Sequence, residues 1–113
     1  MMESAVVELV LSHLAQRERD AGIAYLATPP VGGGTNLQLP RLTVNVPRLA
    51  WLAFIDSKPE YDWGHDCRYL LIDDQTGEVR PYEAQFPPFR PESPWKWREI
   101  YRAPGIPATT ASA

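Results

Sequence analysis

Valine and leucine recur at helical spacing near the start of the chain. Val6, Val7, Val10, Leu11 and Leu14 fall three or four residues apart, which lines them along one face of an α-helix. Ser4 is placed to cap that helix, and Gln16 to Asp20 make its last turns polar. Gly22 stands where a left-handed C-cap would close it, so the pattern predicts one helix running to about Ala21. The period then shortens. Ile23 to Thr28 reads as a short strand. Leu42, Val44 and Val46 alternate with Arg41, Thr43 and Asn45, the signature of a half-buried strand. From Leu49 to Ile55 both faces are apolar, which predicts a central strand covered on each side. In the next strand Cys67, Tyr69 and Leu71 share one face, and Arg68, Leu70 and Ile72 the other. Asp73 to Gly77 carries turn chemistry, and Glu78 to Tyr82 returns as the second arm of a hairpin. Pro81 makes that arm an edge strand or the end of one.

Between these runs the chain is broken by proline and glycine. Pro29 to Asn36 holds two prolines and three glycines and predicts a flexible hairpin connection between the strands on either side. Its glycines lack the Lys-Ser/Thr pair and the following helix of a phosphate loop. Phe86 to Pro91 should be extended. Ser93-Pro94 then offers a cap and a first-turn proline for a short helix from Trp95 to Arg102. The expected organisation is an α+β domain over residues 1–91, with an N-terminal helix packed on a four- to five-stranded antiparallel sheet. A helical or docking segment over 92–102 and a disordered tail over 103–113 follow. Trp51, Leu52, Phe54, Tyr69 and Leu71 should form the core together with Val10 and Leu14.

A length of 113 residues, 44% apolar and 22% charged, suits one globular domain. A net charge of −3 offers no basic stripe for nucleic acid. The apolar stretch Ala5 to Ala15 is broken by Glu8 and His13 and is too short to span a bilayer, so no membrane partner is expected. Cys67 is the lone cysteine, which fits a reducing cytoplasm.

The polar run Tyr61-Asp62-Trp63-Gly64-His65-Asp66-Cys67 has the most chemical potential. An imidazole beside a thiolate can make a nucleophile, and His65 and Cys67 share a face where a strand begins. No third orienting group or oxyanion donor accompanies them. Cys67 is therefore expected to pack inward as a small apolar group while His65 and Asp66 close the loop. No metal or cofactor is expected, since three ligands cannot converge from so short a segment. Trp63, Trp95 and Trp97 fall outside the predicted sheet, where tryptophan either pins a segment to the body or forms a binding surface. The charge is uneven: seven acids stand against Lys58 and Arg68 between Asp56 and Glu78. The predicted partner surface joins Glu60, Asp62, Trp63 and Asp66 of the acidic loop to Trp95 and Trp97.

Trp51 to Asp56, Trp63 to Asp73, Thr76-Gly77-Glu78-Val79 and Phe86-Pro87-Pro88 together resemble a bacterial module found beside secreted or cell-surface peptidases. That module is the PepSY type of propeptide domain, in which a strand ending in VDxxTGEV forms the hairpin. Its members carry His-Pro-Cys where this chain has His65-Asp66-Cys67. A similar hairpin follows a helix in small immunity proteins of bacterial toxin systems. The element order suits a cystatin-like architecture and the resemblance a PepSY-like one. The expected lack of a signal peptide and peptidase domain departs from that family and points to a free-standing cytoplasmic relative whose partner is another chain. The expected function is a non-catalytic protein-binding module: an inhibitor, immunity or chaperone-like partner of a bacterial enzyme or toxin. A small thiol enzyme using Cys67 and His65, and a structural subunit of a larger assembly, are the alternatives. Self-association as a homodimer stays open.

Overall fold

Val6 and Val10 are fully buried on one face of α1 (Glu3–Ser12), as their spacing requires. The computed structural model describes residues 1–60, 64–89, 91 and 93–107. The predicted single helix is two: α2 (Gln16–Ala21) follows α1 after a break. At the end of α1 the Ser12 hydroxyl donates to the Leu9 carbonyl, and His13 Nδ1 lies 2.8 Å from the same oxygen. Side chains thus satisfy a carbonyl that a continuing helix would have used. A new start is then fixed by Glu18, whose carboxylate accepts the Ala15 N–H at 2.7 Å. Ser4 lies inside the first turn of α1, and Met2 is the cap residue, with no side-chain cap bond. Gly22 is extended (φ −109°, ψ 174°) rather than left-handed. It is needed for clearance: a Cβ there would come within 2.9 Å of the Glu18 and Asp56 carbonyl oxygens.

Five strands form one antiparallel sheet: β1 (Ile23–Thr28), β4 (Ala50–Asp56), β5 (Cys67–Asp73), β6 (Val79–Ala84) and β7 (Lys96–Arg102). Their order is β6-β5-β4-β1-β7, with β4 in the middle and buried along its whole length. Trp51, Ala53, Ile55, Leu70 and Ile72 pack against Val6, Val10 and Leu14 of the helical layer. On the opposite face Ala50, Leu52, Phe54, Tyr69 and Leu71 pack against a separate hairpin of β2 (Thr35–Leu39) and β3 (Leu42–Val46). All seven core residues expected from the pattern are buried. The architecture is α+β, in three layers.

Three expectations are corrected by the strand pairing. First, Trp95 to Arg102 is not helical: Lys96–Arg102 is β7, paired with β1 at Ala27–Trp97 and Thr28–Lys96. Trp97 and Ile100–Tyr101 pack on opposite faces, and the alternation is masked in sequence by a register shift at Ala24/Tyr25, where Ile100 is the extra residue. Second, the chain from β1 does not form a hairpin with the strand at Leu42. β2 intervenes, with Leu37 and Leu39 turned inward, and β1 pairs with β4 and β7 instead. Third, the tail does not begin at Ala103, which is buried and donates its N–H to the Gly22 carbonyl at 2.9 Å. Residues 108–113 lie outside the described residues. The turn at Asp73 forms as expected: Asp73 Oδ1 accepts the Gln75 and Thr76 amides at 2.8 Å, and Gly77 has φ 76°. β6, with Pro81, is an edge strand.

Candidate functional site

The acidic loop leaves the sheet after Asp56 and returns at Cys67. Asp62 and Trp63 lie outside the described residues. Glu60 is exposed, and so is Asp66, whose Oδ1 accepts from Gln85 Nε2 at 3.3 Å. Asp56 pairs with Ile23 at one end of β1, whereas Lys96, between the two C-terminal tryptophans, pairs with Thr28 at the other. At strand rise those positions are roughly 17 Å apart. Along β1, then, Asp56, where the loop leaves the sheet, and Lys96 sit at opposite ends.

Within the loop, His65 is held by Asp56: Nε2 and Oδ1 are 2.8 Å apart, with both side chains buried. Asp56 Oδ1 also accepts the Lys58 amide at 2.9 Å. Burial pushes the Asp56 carboxyl above its ordinary range, and the Lys58 amide and His65 oppose that rise. Cys67 is buried, and its thiol is pushed up to about 12, first by burial and then by the negative charges of Asp56, Asp66 and Glu83. A nucleophilic cysteine is tuned in the other direction. Among the described residues no group of three or more His, Cys, Asp or Glu is placed to hold a metal ion.

The two C-terminal tryptophans divide. Trp97 joins an aromatic cluster, with its ring 6.3 Å from Phe54 and 6.1 Å from Phe89. Its indole Nε1–H is buried without a hydrogen-bond partner among the described residues. Trp95 instead borders a groove of about 670 Å³, a usual size for a binding cleft. One wall is the whole of β2 with the turn residues Pro40 and Arg41, and the other is Pro88, Ser93, Pro94 and Trp95.

The backbone of β2 gives this groove its chemistry. β2 pairs only with β3, so its outer edge has no strand beside it among the described residues. The hairpin closes with Leu39 opposite Leu42 across a two-residue turn. Such a turn makes its flanking residues a hydrogen-bonded pair, and alternation then gives Leu37 the same role, while at the far end the Val46 carbonyl accepts from Gly34 at 2.7 Å. The N–H and C=O groups of Asn36 and Gln38 consequently point away from β3, toward the free edge. Their side chains are occupied elsewhere: Asn45 Nδ2 donates to Asn36 Oδ1 at 3.2 Å, and Thr43 Oγ1 donates to Gln38 Oε1 at 3.1 Å.

The edges of the five-stranded sheet are guarded. β6 carries Arg80, Pro81 and Glu83, and β7 carries Lys96, Arg98, Glu99 and Arg102, the charges and proline that deter strand pairing. β2 has neither a charge nor a proline. β3 is uncharged as well, and its Leu42 borders a recess shared with Glu83 to Phe86. Sequence reading missed β2 because its short polar-apolar alternation sits directly behind the glycine run. No protein-family model, curated protein or solved structure matches this chain.

Proposed function

We propose that this chain is a non-catalytic protein-binding module that takes an extended segment of a partner protein onto the free edge of β2. The observation that carries this reading is the coincidence of the groove with the whole length of an unguarded strand edge. Strand addition draws affinity from main-chain hydrogen bonds and specificity from pockets for alternate side chains. Asn36 and Gln38 supply the main-chain groups, and Trp95 supplies a broad apolar wall. A segment of five residues would match β2 over about 17 Å.

The role we assign is that of an inhibitor, immunity or chaperone-like partner of a bacterial enzyme, working in the cytoplasm. Support for it comes from the resemblance of residues 51–88 to PepSY-type modules and from the α+β core, with helices on one face of an antiparallel sheet. The raised Cys67 thiol and the pairing of His65 with Asp56 weigh against the thiol-enzyme alternative.

Amide hydrogen exchange read by NMR, with and without the acetylated peptide amide Thr-Val-Thr-Val-Thr, tests the proposal. Asn36 and Gln38 amides should gain protection while those of β6 and β7 do not. Protection confined to β6 or β7, or none at saturating peptide, would contradict it.

A further inference from the structure

Arg41 occupies a backbone position that favours other residues. Its φ is 57°, and it is the one non-glycine residue with positive φ among the described residues. It follows Pro40 in the two-residue turn of the β2-β3 hairpin, and proline followed by a positive φ is the type II arrangement, in which glycine or asparagine is preferred. A Cβ there is strained, and strained residues that persist concentrate at functional sites.

The side chain is no less particular. Among the described residues Arg41 is the one charged residue lining the groove, and it forms no ion pair with any of them. Glu83 borders the neighbouring recess without pairing with it. The guanidinium carbon lies 5.1 Å from the centroid of the Phe86 ring. Stacking of this kind steadies the guanidinium plane while leaving its N–H edges free to donate.

We propose that Arg41 is kept at this strained position because its guanidinium reads a carboxylate side chain, aspartate or glutamate, on the segment bound along β2. This rests on the strand-addition reading. The direction of the segment follows from strand chemistry. Antiparallel pairs outnumber parallel ones, and a segment running antiparallel to β2 places its N-terminal end beside the turn. The acidic residue therefore belongs at the N-terminal end of the segment. The occupant is an extended, alternating, uncharged peptide stretch led by one acidic side chain.

Two labelled hexapeptide amides, acetylated Glu-Val-Thr-Val-Thr-Val and its Gln-Val-Thr-Val-Thr-Val counterpart, test this by fluorescence anisotropy at low salt. The wild-type protein should bind the glutamate peptide about two- to fivefold more tightly, the range of an exposed ion pair. Arg41→Gln should erase that preference, so that the variant binds the two peptides alike. Arg41→Gly should also erase it without lowering the melting temperature, because glycine relieves the positive φ. Binding of both peptides with equal affinity to the wild type, or a preference that survives Arg41→Gln, would overturn the role of Arg41 alone. A fall in melting temperature on Arg41→Gly would overturn it too, by showing that the residue is kept to pin the hairpin tip on Phe86. Failure of either peptide to bind would instead overturn strand addition and this inference with it.

Discussion

Cys67 and His65 sit two residues apart on one strand face in sequence, yet their surroundings separate them chemically. His65 is engaged by Asp56, and the thiol is buried among negative charges. The environment that silences Cys67 came from residues distant in the chain, such as Glu83, which strand spacing cannot reveal. Its pKa is raised from 9.0 to about 12. The sign of the consequence is fixed by linkage: an acid whose folded pKa lies above its unfolded value stabilises the fold below the unfolded value and loses that contribution as pH rises. Stability should therefore fall between pH 9 and 12 more steeply in the wild type than in Cys67→Ala, as read from urea midpoints. Alkylation at pH 7.5 should be slow in the folded protein and fast in urea. A folded-state rate matching that of a free thiol would show the account of Cys67 to be wrong.

At the scale of elements, strands with clean alternation were legible and those beside irregularities were not. Leu49 to Ile55 announced β4 because both of its faces are apolar, and the Asp73 to Gly77 turn announced the β5-β6 hairpin. β7 was hidden because its bulge breaks the period and Ser93-Pro94 imitates a helix start. The break between α1 and α2 was hidden because its cause is tertiary. Glu18 is buried on α2 and receives two bonds from Arg68 of β5, both at 2.8 Å. Arg68 also donates to the His13 carbonyl in the break itself. Removing one partner of such a pair leaves a buried charge alone. Arg68→Ala should therefore cost roughly 3–5 kcal/mol in urea denaturation. A loss below about 1 kcal/mol, the range of exposed pairs, would mean that the pair does not anchor α2.

Over the whole molecule, one sheet is covered by helices on one face and by the β2-β3 hairpin on the other. Sequence pattern reached the α+β class and the core. It placed a partner surface on Glu60, Asp62, Trp63, Asp66, Trp95 and Trp97, and of its described members only Trp95 borders the groove. The groove itself was illegible because it is made of backbone edges, which side-chain patterns do not encode. β7 also changes the expected outcome of shortening the chain. Truncation after Pro91 removes the strand that pairs with β1 and the Trp97 ring beside Phe54, so the melting temperature should drop by well over 5 °C. An unchanged melting temperature would show that the segment is a separable arm.

The central claim is that Asn36 and Gln38 present the free backbone edge of β2 to a partner strand. Proline lacks an N–H and is tolerated on an edge where that N–H faces solvent. The most direct measurement is the affinity of Gln38→Pro for the acetylated Thr-Val-Thr-Val-Thr amide, taken beside its melting temperature. The account predicts a fold melting within about 3 °C of the wild type and an affinity for the peptide reduced at least tenfold, the loss of about 1.4 kcal/mol expected of one main-chain hydrogen bond. A variant that melts normally and binds as tightly as the wild type would contradict it.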